Sequence, residues 1–250
     1  MVKKVELTGN NLKYYNTLYK GMKIQVKTIE NFYNENTDSI LENLNIIKFT
    51  DVLNEKIEQV ILELNDIVFS NFLSAKKEFL DSIKRDMVLR KSDEIDRKLL
   101  EHYNTLNVKR LANDVQEKLF QDIVSEKSEN FFKDFLEETK LRGNQTSENR
   151  MILITNDVIK RSSTTGQIQG MRDFGFTRVF VRPHSGGDVC NLCMEEYEKN
   201  PHYINTIEKK YPMHPNCLCT LKKVFLEKPT DDPVSQMRYT NLVHYYSENS

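Results

Sequence analysis

Apolar positions at Leu12, Tyr15, Tyr19, Met22, Val26, Ile29 and Tyr33 step alternately three and four residues, the spacing of a coiled-coil seam or of one face of a long helical hairpin. Ser39 with Glu42 reads as a capping box that opens the next helix. Ile57, Val60, Ile61, Leu64, Ile67, Val68, Phe72 and Phe79 line one face of a third segment. Val108, Leu111, Val115, Leu119 and Ile123 line a fourth, and Phe131, Phe132, Phe135 and Leu136 close the series. Between Gly21 and Gly143 there is neither glycine nor proline, so nothing supplies a tight turn or a stop, and helix is expected throughout. Breaks between segments are expected near 34–37, 48–50, 91–93 and 104–107. The whole reads as a helical scaffold folded on itself. The Leu12–Tyr33 seam either docks on another helical protein or is buried within the helical region itself.

The pattern changes after residue 141. The stretch RGNQTS is a turn, and Thr146 or Ser147 can cap a helix running from about Glu148 to Ser162, with Glu148 well placed in its first turn. STTGQIQGMRDFG, which holds three of the eight glycines, reads as a broken helix or as a loop and a short helix. FTRVFVR, 176–182, alternates Thr177, Val179 and Val181 against Phe176 and Phe180, the period of a strand. PHSGGD is a turn, and LCTLKKVFL reads as a second strand, with a loop region between the two. The expected fold class is therefore mainly α: an elongated helical region over 1–141, a small α+β domain over 145–227, and a linker and tail over 228–250.

Composition narrows the options. A net charge of −1 and a pI near 6.5 give no global field for gripping nucleic acid, so any such contact has to be a local patch. Charged residues at 29% and a mean hydropathy of −0.60 are polar for a globular chain, while 38% hydrophobics still allow a core. No apolar run is long enough to span a bilayer, and MVKKVELTGN lacks the apolar stretch of a secretory signal. A reducing compartment is the default, and there clustered cysteines are more often metal ligands than disulfides.

All four cysteines lie in two short stretches, CNLC (190–193) and HPNCLC (214–219). Cys-x2-Cys suits zinc because a short turn lets two thiolates reach one ion, and His214-x2-Cys217 offers a second turn of the same span. Cys190, Cys193, His214 and Cys217 are the expected ligands of one structural zinc ion, with Cys219 as a substitute, since Cys217 and Cys219 share a face if the segment is extended. His184 and Asp188 are more remote candidates. A thioredoxin-type pair does not fit, because no βαβ pattern surrounds CNLC. A cysteine nucleophile paired with His214 would find its thiolate occupied by the metal. No catalytic residue is assigned.

A capped helix, a glycine-bearing stretch, a strand, then DVCNLC and HPNCLC together resemble the phage head-morphogenesis family, the minor head proteins similar to phage Mu protein F. The resemblance rests on Asp188, Cys190, Cys193, His214, Pro215, Cys217 and Cys219 and covers about residues 145–227. Leu218 stands where the family usually has Arg, and the acidic, helical-looking MEEYEKN follows the Cys-x2-Cys where the family tends to have a glycine. The resemblance implies a minor structural protein of a tailed-phage or prophage head. It would associate with the portal, the major capsid protein or the scaffold, reside in the virion, and touch packaged DNA only weakly. Two rivals come from other classes. One is a zinc-supported nuclease drawing on His184 and His202; the other is a zinc-ribbon DNA-binding regulator drawing on Lys209, Lys210, Lys222 and Lys223.

Overall fold

The computed structural model describes residues 7–35, 46–125, 132, 135–141, 145–183, 189–208, 210–214, 217 and 219–223. It is mainly helical, with a small three-stranded sheet toward the C-terminus, as the sequence pattern predicts. Helices α1 (Gly9–Glu35), α2 (Ile46–Asp81) and α3 (Lys91–Val124) are followed by a single turn, α4 (Phe135–Glu138), and by the long α5 (Ser147–Asp173). Strand β1 (Arg178–Arg182) then leads to α6 (Asn191–Glu198), β2 (His202–Tyr203), the turn α7 (Ile204–Ile207) and β3 (Thr220–Lys223).

The chain divides into two compact units, each discontinuous in sequence. One comprises Met1–Ser70 and Arg97–Ile159, the other Asn71–Asp96 and Lys160–Ser250. The sequence pattern places its boundary at 141–145, whereas this division falls inside α2, α3 and α5, so each of those helices supplies residues to both units. A boundary of this kind leaves no trace in glycine, proline or polarity.

The first unit is helix packed on helix. The buried stripe of α1 is Tyr14, Leu18, Met22, Val26 and Ile29, while Leu12 is exposed. The expected seam is thus buried at Met22, Val26 and Ile29 and is not a free docking surface, and its first turns are rotated by one position. Polar partners set that phase. The Tyr14 hydroxyl donates to Asn104 Oδ1, and Gln25 Nε2 donates to the Ala112 carbonyl at 3.2 Å. Asn104 also donates to Asn65 Oδ1 at 2.6 Å. The break expected at 104–107 is therefore absent, because side-chain partners offset the low helix propensity of asparagine. The break expected at 48–50 is absent too, since α2 runs through it, and the one expected near 91–93 is found earlier, between the end of α2 at Asp81 and the start of α3 at Lys91. The Ser39–Glu42 capping box lies outside the described residues.

In the second unit β1 is the central strand, flanked antiparallel by β2 and β3 in the order β2-β1-β3. Val179 faces His202 on one side and Lys223 on the other, and Val181 faces Leu221. Val179 and Val181 join Phe79, Leu80, Ile168, Met171, Ile204, Ile207 and Leu221 in one core. α5 runs unbroken through STTGQIQGMRD, against the expectation, and ends at Asp173, with Gly175 at a φ of 76° in the turn that follows. Its glycines serve approach rather than interruption. A Cβ on Gly166 would lie 2.2 Å from the Phe72 carbonyl oxygen, and one on Gly170 would lie 2.8 Å from the Phe79 ring. Thr146 caps the helix, its hydroxyl accepting from the Asn149 amide at 3.2 Å.

The same unit buries an ammonium group. Lys76 is fully buried, with Nζ 2.6 Å from Asp93 Oδ1 and 2.7 Å from Asp173 Oδ2, and it donates to the Val88 carbonyl at 3.3 Å. Two carboxylates and a carbonyl satisfy its three donors, which is what makes an interior charge tolerable.

Candidate metal centre

The two cysteine stretches fold into different local structures that converge. Cys190 sits at the N-cap of α6 in extended backbone conformation, and Cys193 lies one turn in, so a helical turn sets their spacing. The Met194 amide donates to the Cys190 carbonyl at 3.1 Å. On the other side the Cys217 amide donates to the His214 carbonyl at 3.0 Å, a turn that delivers Cys217 and Cys219 to the start of β3. The segment expected to be a loop region thus contains α6, β2 and α7, and the first knuckle is built on a helix. MEEYEKN is helical over most of its length.

The five expected side chains come together. Cys190, Cys193 and His214 form one triad, and Cys193, Cys217 and Cys219 form another; within each, every ligand atom lies within 4.8 Å of the others. Cys193 belongs to both. Its Sγ is 3.8 Å from Cys217 Sγ and 3.6 Å from His214 Nε2, and Cys190 Sγ is 3.2 Å from His214 Nε2. Two thiolates on one tetrahedral zinc lie about 3.8 Å apart, and a thiolate and an imidazole nitrogen about 3.6 Å apart. Both Cys193 distances fit, and the Cys190–His214 separation is shorter than that spacing. None of the four cysteines is in a disulfide. Cys193, Cys217 and Cys219 are buried and belong to the hydrophobic core, whereas Cys190 is half-buried. His184 and Asp188 lie outside the described residues.

The electrostatics suit a cation. Burial, then contacts with the Cys190, Cys219 and Cys217 sulfurs, push the Cys193 thiol far above its ordinary range. A buried sulfur among sulfurs holds its proton unless a positive ion takes the proton's place. Two further side chains border the cluster, and neither belongs to the sequence motif. The Tyr211 hydroxyl donates to the Cys219 carbonyl, and its phenol is pushed up by burial and then by Cys217 and Cys219. Lys160 lies with Nζ 5.9 Å from the Tyr211 ring centre. Burial lowers the Lys160 pKa, while Cys217 and Cys219 act in the opposite sense, as sulfurs carrying negative charge would. Nothing in the spacing of the chain marks Lys160, which arrives from α5.

The other histidine of the window is otherwise engaged. His202 is buried, and its Nε2 donates to the Glu196 carbonyl at 2.5 Å. Of the lysines suggested as a basic group, Lys210 pairs with Glu196 Oε1 at 3.1 Å, Lys222 is exposed on β3, and Lys209 lies outside the described residues. No helix among the described residues is long and apolar enough to cross a membrane. No family model, curated protein or solved structure matches the chain.

Proposed function

We propose that this chain is a non-enzymatic structural protein of a tailed-phage head, and that one zinc ion per chain holds its second unit together. The observation that carries the reading is the convergence of Cys-x2-Cys and His-x2-Cys-x-Cys on a shared, buried Cys193. Thiolate and imidazole donors at tetrahedral spacing favour zinc among common divalent ions. Protein donors suffice to fill all four positions, leaving none for a reactive water, which is the pattern of a structural rather than a catalytic ion. The resemblance of DVCNLC and HPNCLC to the minor head proteins supplies the biological setting: contacts with the portal, the major capsid protein or the scaffold. The engaged Nε2 of His202 speaks against its use as a nuclease base.

The test has two parts. Elemental analysis of protein purified without chelator is expected to give one zinc per chain. Mass spectrometry of density-purified particles and proheads from the source strain is expected to find the chain at low stoichiometry against the major capsid protein. Its presence only in the soluble lysate overturns the head assignment, whatever the zinc content.

A further inference from the structure

The four sulfurs of the cluster are not equally reachable. Cys193, Cys217 and Cys219 are at most 3% exposed and belong to the core, whereas Cys190 packs at its edge and is half-buried. The start of α6 explains the difference. Cys190 is the N-cap residue, extended at φ −68° and ψ 151°, and its side chain makes no capping hydrogen bond. Asn191 and Leu192, which follow it, are both exposed. One turn of helix then carries Cys193 inward. The chain thus presents one sulfur of the cluster to solvent and keeps a second immediately behind it, since Cys190 and Cys193 belong to the same triad, with sulfurs within 4.8 Å. Residues three apart at the start of a helix have Cα atoms about 5 Å apart, inside the span that a disulfide bridges. The other close sulfur pair, Cys193 and Cys217 at 3.8 Å, is buried on both sides.

We infer that Cys190 is a modification site for hydroperoxides, and that Cys193 resolves the product into a disulfide that dismantles the metal centre. The inference rests on the metal-centre reading above and not on the head assignment. The Cys190 thiolate attacks an oxygen of the hydroperoxide and the O–O bond breaks. Cys190 becomes a sulfenic acid, and an alkoxide leaves, or hydroxide where the oxidant is hydrogen peroxide. The Cys193 thiolate then attacks the Cys190 sulfur and expels hydroxide, forming the S–S bond. Two electrons pass from two sulfurs to one O–O bond, and water protonates the two oxyanions released. Cys193 is the sulfur common to both triads, so its capture breaks both. Only His214, Cys217 and Cys219 then remain, fewer donors than a closed structural zinc site needs, and the ion leaves. Oxidation beginning at a buried sulfur requires the unit to open first; oxidation at Cys190 does not.

Zinc-loaded full-length protein treated with substoichiometric hydrogen peroxide tests this. In wild type, peptide mass spectrometry after quenching and alkylation is expected to show Cys190–Cys193 as the first disulfide, with Cys217 and Cys219 still alkylated. Dimedone is expected to label Cys190 ahead of the other sulfurs. A chromogenic chelator is expected to report about one zinc released per disulfide formed. Dithiothreitol with added zinc is expected to reverse both changes. Cys190→Ser is expected to slow oxidation of the remaining sulfurs at least about tenfold, because they are reached only through opening of the unit. Circular dichroism checks that this variant is folded, and the order of labelling in wild type decides the matter if it is not. First oxidation at Cys217 or Cys219, a disulfide that leaves zinc bound, or a folded Cys190→Ser that oxidises as fast as wild type would each overturn the inference and leave the zinc reading intact. Protein that carries no zinc as purified would overturn the metal-centre reading and this inference with it.

Discussion

The two units solve the same problem with different means. The first buries helical stripes against one another and ties interior polar side chains such as Asn104, Asn65 and Tyr14 together through amide and hydroxyl hydrogen bonds. The second has a three-stranded sheet whose outer strands are short, and it places three cysteines and a charged lysine among its apolar residues. A helical stripe supplies its own stability as it lengthens, because each added turn buries another apolar side chain. A small sheet with short strands has little such reserve and needs a cross-link, for which this unit has a buried charge cluster and a cysteine–histidine cluster that could hold a metal ion. The units should therefore respond differently to the loss of one residue.

The largest expected difference comes from Cys193, the sulfur common to both donor triads. Cys193→Ser is expected to abolish stoichiometric zinc and unfold the second unit, since structural zinc contributes about 10 kcal/mol or more in small zinc peptides. Hydrogen exchange read by mass spectrometry should show amides of β1, α6 and β3 losing protection while those of α1 keep it. Helicity by circular dichroism should fall in part, because the C-terminal end of α2, the first turn of α3 and the C-terminal half of α5 belong to the affected unit. Uniform loss of protection across both units would mean they fold as one cooperative body, and the contrast drawn above would be lost.

A smaller effect separates two glycines that look alike in sequence. Gly166 of the second unit faces the Phe72 backbone, where an added Cβ would meet the carbonyl oxygen at 2.2 Å. Gly21 of the first unit faces the Val60 side chain, its Cγ1 at 2.7 Å. Backbone cannot step aside, whereas a side chain can shift. Gly166→Ala is expected to destabilise by about 3 kcal/mol. Gly21→Ala is expected to fall within about 1 kcal/mol of wild type, its crowding offset by the gain in helix propensity. Urea unfolding of the two variants side by side makes the comparison, and equal losses would contradict it.

Those glycines also mark where the sequence is hard to read. The stripes of α2 and α3 and the alternation of β1 are visible because period alone encodes them. The convergence of the cysteines is visible because ligand chemistry restricts the residue types and spacing. Gly166 and Gly170 look like breaks, since a glycine that admits a neighbouring backbone and one that ends a helix are the same letter. Asn104 looks like a break because its partners, Tyr14 and Asn65, are distant in sequence. The Lys76 cluster carries a faint signal, a lysine in phase with Phe72 and Phe79 on the stripe of α2, but its counter-ions Asp93 and Asp173 come from two other helices. Lys160 and Tyr211 flank the metal centre through tertiary packing, so no local pattern announces them.

The smallest expected effect belongs to Asp96, in the first turns of α3. It is buried, and its Oδ2 has no hydrogen-bond partner among the described residues. Burial, with Glu208 next in weight, raises its pKa from 3.8 to about 6; Asp93 adds to the rise, while Arg172 and Lys76 oppose it. The folded state therefore holds a proton that the unfolded chain has released. The contribution to stability is fully present below about pH 4 and is lost as pH rises through 6, so at neutral pH the folded unit carries the cost of a poorly solvated carboxylate. Asp96→Asn removes that cost. It is expected to stabilise the second unit by about 1 kcal/mol at pH 7.5, a modest figure because solvent near the helix end screens part of the effect. The advantage should shrink toward pH 5, where the wild-type carboxyl is largely protonated. Because variant and wild type are compared at the same pH, the acid sensitivity of a thiolate–zinc centre cancels between them. A stabilisation that stayed constant from pH 5 to 7.5 would assign the effect to amide hydrogen bonding rather than to the buried charge.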